Sequence, residues 1–127
     1  MKKNIYSEKA PKPVGPYSQA VKAGAFLFVS GTLPIDPVTG EMINGEIEDK
    51  TKRILENIKI ILNADNLELK HIVKMTIYLK DMSLFSRVNS VYKDYFVSNP
   101  PARSAVGVSE LPKNSEIEME AVAYYED

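Results

Sequence analysis

Ile117-Glu118-Met119-Glu120-Ala121-Val122-Ala123-Tyr124 alternates without a break. A period of two is the signature of a strand. Ile117, Met119, Ala121 and Ala123 therefore share one face, and Glu118, Glu120, Val122 and Tyr124 share the other. The first face is wholly apolar and suits a core beneath helices. The second sets two carboxylates beside Val122 and Tyr124. An isolated surface glutamate usually marks open water, but a mixed face of this kind suits a subunit interface better. A carboxylate held there has a partner or a task.

Upstream, His71 to Leu79 alternates as well, with Val73, Met75, Ile77 and Leu79 on one face and Lys74, Thr76 and Tyr78 on the other. Ala20 to Ala23 and Phe26 to Ser30 read as strands flanking a tight reversal at Gly24. Ala102 to Val108, beginning after Pro100-Pro101, and Ile117 to Tyr124 read as a final pair of strands. From about Ile47 the period changes. Thr51, Ile54, Leu55, Ile58, Ile61 and Leu62 recur at offsets of three and four, which predicts an amphipathic helix ending near Asn66, a residue type that tolerates a left-handed cap. Leu84, Val88, Val91, Tyr92, Tyr95 and Phe96 make the stripe of a second helix, with Ser83 as its expected N-cap. The order is strand, strand, helix, strand, helix, strand, strand. Two helices are enough to cover one face of a single sheet, which makes the fold class α+β, a two-layer sandwich.

A chain of 127 residues and 14.2 kDa is expected to form a single domain over residues 1–127. Lys plus Arg is 16 and Asp plus Glu is 17, so the net charge is −1. Such a chain lacks a global basic field for nucleic acid or an anionic membrane. Without Cys it has no disulfide and no thiolate nucleophile. No segment reaches the roughly 18 apolar residues that span a bilayer. No apolar run follows Met1-Lys2-Lys3-Asn4-Ile5-Tyr6, so a secretory signal is not expected and the cytoplasm is. The lone His71 cannot build a usual zinc site, and no spaced Asp and Asn loop serves calcium. P-loop, dinucleotide and nucleophile-elbow patterns are missing. Asp36-Pro37-Val38-Thr39-Gly40 is a turn.

Three further places carry two readings each. Arg103, in Pro100-Pro101-Ala102-Arg103-Ser104, is a surface charge or a planar clamp for a substrate carboxylate. Ser30-Gly31 is a strand end or a pocket floor, where Gly31 lets a ligand approach the backbone N–H. Tyr17, after Gly15-Pro16, is packing or a pocket phenol.

Gly15-Pro16-Tyr17-Ser18-Gln19-Ala20, Val29-Ser30-Gly31-Thr32-Leu33-Pro34 and Val88-Asn89 resemble segments of the RidA proteins, also called the YjgF/YER/UK family. So does the run from Pro101-Ala102-Arg103-Ser104 through Leu111-Pro112-Lys113 to Ile117-Glu118-Met119-Glu120-Ala121. Helix and loop spacings match too, so the resemblance covers essentially the whole chain. It implies a chorismate-mutase-like fold, a mixed sheet covered on one face by two helices. It also implies a homotrimer packed around a central barrel, with pockets in the clefts between neighbours. Active members are hydrolases of reactive enamine and imine acids released by pyridoxal-phosphate enzymes. They convert 2-iminopropanoate and 2-iminobutanoate to 2-oxo acids and ammonia, with no metal or organic cofactor.

By this resemblance Arg103 holds the substrate carboxylate and Glu118 orients or activates the attacking water. Tyr17 and Ser30 line the pocket, and the backbones of Gly31 and Ala105 complete it. The chemistry agrees, because a protonated imine carbon is already electrophilic and needs only a positioned water and a carboxylate base. The chain departs from the family at two points. Ala105 stands where many members carry Cys, which removes any thiolate route. Thr32 stands where Gln is common at the pocket edge, which bears on substrate preference. Two other classes compete with the deaminase: a non-catalytic small-molecule-binding or regulatory trimer, and RNA cleavage with translation inhibition. Arg103 and Glu118 together favour the enzyme. Near-zero charge and a single His oppose a nucleic-acid partner.

Overall fold

A computed structural model describes residues 1–126. In chain order its elements are β1 (Lys3–Ile5), β2 (Ala20–Ala23), β3 (Phe26–Thr32), α1 (Ile47–Asn63), β4 (Ile72–Leu79), α2 (Phe85–Tyr95), β5 (Ala102–Gly107) and β6 (Ile117–Tyr124). The strands form one sheet in the order β1-β2-β3-β6-β4-β5. β4 and β5 run parallel and every other neighbouring pair is antiparallel, so the sheet is mixed.

The alternation of β6 holds in the folded chain. Ile117, Met119, Ala121 and Ala123 are buried, and Met75, Ile77 and Leu79 of β4 are buried beside them. Against this face lies the α1 stripe of Thr51, Ile54, Leu55, Ile58, Ile61 and Leu62, all buried. α2 adds Val88 and Tyr92. Each fully buried aliphatic side chain contributes about 1.5–3 kcal/mol through removal from water. The backbone N–H of Glu46 donates to Asp49 Oδ2 at 2.9 Å, closing the first turn of α1. At the far end, Asn66 adopts a φ of 62° and the N–H of Leu67 reaches back to the carbonyl of Leu62. The helix proper stops at Asn63, and the left-handed residue follows a short turn later.

Several expectations need correction. β1 is an added edge strand, paired to β2 and anchored by the buried Ile5; three residues are too short to show a period. Val73 is exposed rather than core-facing, because the β4–β6 register shifts between Ile72 and Lys74. That bulge lets Ile72 fill the core and pushes Val73 out. His71 belongs to a short 3₁₀ turn, Leu69–His71, ahead of the strand. Ser83 does not cap α2. It lies in a 3₁₀ turn, Met82–Leu84, whose cap is Asp81, accepting from the Ser83 N–H at 2.9 Å. β5 and β6 do not pair with each other, since β4 lies between them.

The sheet face away from the helices carries Phe26, Phe28 and Tyr124, all exposed. Their rings gather at centroid separations of 6.5 Å for Phe26–Phe28 and 5.7 Å for Phe26–Tyr124. Across β4 this face continues through Tyr78 to Val106.

Candidate functional site

The end of β3 shapes the site. Val29 pairs with Ala121 and Thr32 with Met119, so three steps on β3 match two on β6. The extra residue is accommodated at Ser30 and Gly31. A bulge bends the strand and re-aims its side chains, here turning both residues from the core toward the uncovered face, beside Glu118 and Glu120. Thr32 returns to the buried side, its hydroxyl donating to the Ser30 carbonyl at 2.9 Å.

The Gly-Pro loop before β2 folds over this bulge. Buried Gln19 ties the loop together, its amide nitrogen donating to the carbonyls of Ser7 and Pro11 at 3.0 Å each. The Ser30 hydroxyl donates to the Ser18 carbonyl at 2.5 Å, and the Ser30 N–H donates to the Gln19 carbonyl at 3.0 Å. Ser30 has thus committed its hydrogen to the loop and offers a ligand only oxygen lone pairs. The Val14 N–H donates to the Tyr17 hydroxyl at 3.3 Å, which holds that half-exposed ring against the loop. On the helix side, buried Asn57 fixes the segment after β3 by donating to the Ile35 carbonyl at 2.8 Å.

Tyr17, Ser30, Gly31 and Glu118 meet in an open cleft of about 380 Å³, together with Val14, Leu33, Pro112 and Glu120. A cavity of about 40 Å³ lies next to it, sharing Tyr17, Ser30 and Gly31 and lined further by Thr32. The Glu118 carboxyl rests on Gly31, so close that a Cβ on Gly31 would stand 2.8 Å from Glu118 Oε2. Burial pushes the Glu118 pKa up, and the negative charge of Glu120 pushes it further the same way. Tyr78 pairs directly with Glu118 across the sheet. Its phenol is shifted up as well, first by burial and then by the Glu120 and Glu118 carboxylates. The arrangement suits a carboxylate that takes and returns a proton. Among the described residues, no group of three His, Asp or Glu side chains is placed to hold a metal ion.

Arg103 and Ala105 do not join this cleft within one chain. They pair with Met75 and Ile77 of β4, whose side chains point into the core, so they share the helix-covered side of the sheet. Arg103 lies at the outer strand against α2. Its Nη1 donates to Asn89 Oδ1 at 2.7 Å, and its guanidinium carbon lies 4.8 Å from the Tyr92 ring centroid and 5.1 Å from that of Phe85. Asn89, Phe85, Tyr92 and Tyr78 were not assigned roles from sequence. The first three were legible as one face of α2 at spacings of four and three. Their meeting with Arg103 depends on strand pairing that no local pattern encodes.

Comparison with known proteins agrees with this fold. A family profile described as Endoribonuclease L-PSP matches residues 7–125. The chain is 56% identical over 126 residues to a RutC family protein of Pyrococcus horikoshii, covering 99% of this chain and 100% of that protein. It is 44% identical to human 2-iminobutanoate/2-iminopropanoate deaminase, over 94% of this chain and 87% of the human one. A Thermotoga maritima crystal structure superposes with a TM-score of 0.96 at 54% identity, over 100% of both chains.

Proposed function

The chain belongs to the endoribonuclease L-PSP family, the YjgF/RidA proteins, and we propose that its activity is the hydrolysis of reactive 2-imino acids to 2-oxo acids and ammonia. The observation that carries this reading is the half-buried Glu118 carboxyl, held against Gly31 in a cleft of small-metabolite size with its pKa pushed up. The name of the human relative supports the reaction class.

In the proposed reaction, water adds to the protonated C=N carbon while Glu118 takes one of its protons. The resulting carbinolamine receives that proton on nitrogen. Loss of ammonia and of the hydroxyl proton leaves the C=O of the 2-oxo acid. Ser30, with its own hydrogen committed elsewhere, accepts from the substrate N–H. Tyr17 and the Gly31 and Ala105 backbones bound the pocket, and Arg103 pairs with the substrate carboxylate through two parallel N–H donors. Water attack on an activated imine calls for no metal or organic cofactor.

Arg103 and Glu118 lie on opposite sides of one sheet, so the reading requires a second copy. Three copies packing through the uncovered face around Phe26, Phe28 and Tyr124 would bring Arg103 of one copy to the Glu118 cleft of the next. The exposed rings on that face and the absence of an acidic partner for Arg103 among the described residues support this arrangement. A single domain over residues 1–127 working in the cytoplasm belongs to the same proposal.

RNA cleavage, the activity in the family description, has less support. His71 Nδ1 is occupied as acceptor of the Glu68 N–H at 2.9 Å, and this histidine does not line the Glu118 cleft. That cleft therefore offers no imidazole for acid–base work. The deciding experiment couples the protein to a threonine dehydratase in the presence of semicarbazide. Faster 2-oxobutanoate formation at the expense of semicarbazone is expected. An unchanged partition would reduce the protein to a non-catalytic binder.

A further inference from the structure

Two arginines, Arg87 on α2 and Arg103 beside it on β5, are met in opposite ways. Arg87 is consumed by carboxylates: its Nε donates to Glu48 at 2.9 Å and its Nη2 to Glu48 at 2.7 Å and to Glu46 at 3.1 Å. Arg103 is met by a neutral amide instead, the Asn89 oxygen, and by two aromatic faces. The Tyr92 and Phe85 rings hold the guanidinium carbon within cation–π range, and Arg103 stays exposed. A single hydrogen bond to Asn89 fixes one nitrogen of the guanidinium fork. An amide acceptor does this without neutralising the charge. An aspartate here would hold the arginine more tightly and cancel the charge a substrate carboxylate needs.

We propose that Asn89, with the ring faces of Phe85 and Tyr92, is a positioning device that aims an un-neutralised Arg103 at the substrate carboxylate. The inference rests on the reading of Arg103 as the carboxylate clamp. The three residues fall at positions 85, 89 and 92 of one helix face, so α2 presents them as a unit. Asn89 acts through Arg103 and touches no substrate.

Three variants of the full-length protein test it: Asn89→Ala, Asn89→Asp and Arg103→Ala. Each is measured for melting temperature, for 2-oxobutanoate affinity by calorimetry, and for kcat and KM in the coupled imine assay. Asn89→Asp is the sharpest, because a merely structural role predicts an unchanged or raised melting temperature and unchanged binding. The expected result is an unchanged or raised melting temperature with 2-oxobutanoate binding weakened by about tenfold to a hundredfold, the worth of a charge-assisted hydrogen bond. The loss should fall on KM more than on kcat, and Asn89→Ala should show a smaller loss in the same direction. If Arg103→Ala loses binding while both Asn89 variants bind like wild type, the positioning inference is overturned and the clamp stands. If Arg103→Ala itself binds like wild type, the clamp reading fails and the inference fails with it. Should Asn89→Asp not fold, Asn89→Ala decides, and wild-type affinity in that variant overturns the inference.

Discussion

The carboxyl of Glu118 occupies the space that a side chain on Gly31 would need: an added Cβ would stand 2.8 Å from both its Cδ and its Oε2. The colliding atoms are the far end of a flexible side chain, not backbone, so Gly31→Ala should fold and displace the carboxyl. Its melting temperature should change by less than about 4 °C, the scale of 1 kcal/mol in a domain of this size. Imine hydrolysis should fall by about 10²-fold, the usual cost of an ångström of misplacement at a reacting group. Circular-dichroism melts and the semicarbazide assay, run on the same preparation, check both halves.

Glu118 should cost stability at neutral pH. Burial and the Glu120 charge raise its pKa above the ordinary value of 4.5, so folding disfavours the ionised form. Its contribution to stability is then fullest below the ordinary carboxylate pKa and is lost as pH rises through the raised one. Compared in an Arg103→Ala background, so that no neighbouring cation offsets the charge, Glu118→Gln should melt higher than Glu118 at pH 7. The gap should close as pH falls to about 4. Glu118→Gln alone should lose roughly 10²–10⁴ in rate, as expected for a missing general base. Near wild-type turnover would move the base elsewhere, with Glu120 next.

The pH dependence of kcat/KM should carry the same signature. A base must be ionised to work, so activity should rise with pH through the pKa of Glu118, which burial and Glu120 raise within one chain and the Arg103 of the next copy draws back down. That acid limb should be absent from the residual activity of Glu118→Gln. An unchanged limb would assign it to another group.

Arg103→Lys should fail almost as badly as Arg103→Ala. An ammonium cannot make two parallel donor bonds to a carboxylate while also bonding Asn89 beside the Tyr92 and Phe85 rings. Losing one member of a desolvated charged pair costs about 2–5 kcal/mol. That is on the order of 30-fold to several thousand-fold in kcat/KM. A Lys variant that keeps most of the wild-type kcat/KM toward 2-iminobutanoate would remove Arg103 from the carboxylate site.

The layers were legible because they rest on periodicity. The two faces of β6 and the stripe of α1 appear in the fold as their spacing predicts. What escaped were features without a period. β1 is three residues long. The Val73 bulge breaks the alternation that exposed it to reading, and the Ser30-Gly31 bulge turns two successive residues outward where alternation allows one. The candidate site divides in the same way. Tyr17, Ser30, Gly31 and Glu118 line one cleft. Arg103 and Ala105 are placed by parallel pairing with β4, a long-range register that strand composition does not encode.

The central claim is that one site draws Glu118 from one copy and Arg103 from the next. Glu118→Gln and Arg103→Ala chains, each folded and each inactive alone, are co-expressed with different affinity tags, and assemblies carrying both tags are isolated. In a ring of three copies containing both variants, one site has both native residues, so imine hydrolysis should recover to about one third of wild type per assembly. Mixed assemblies that hydrolyse imine no faster than either parent would contradict a site shared between copies.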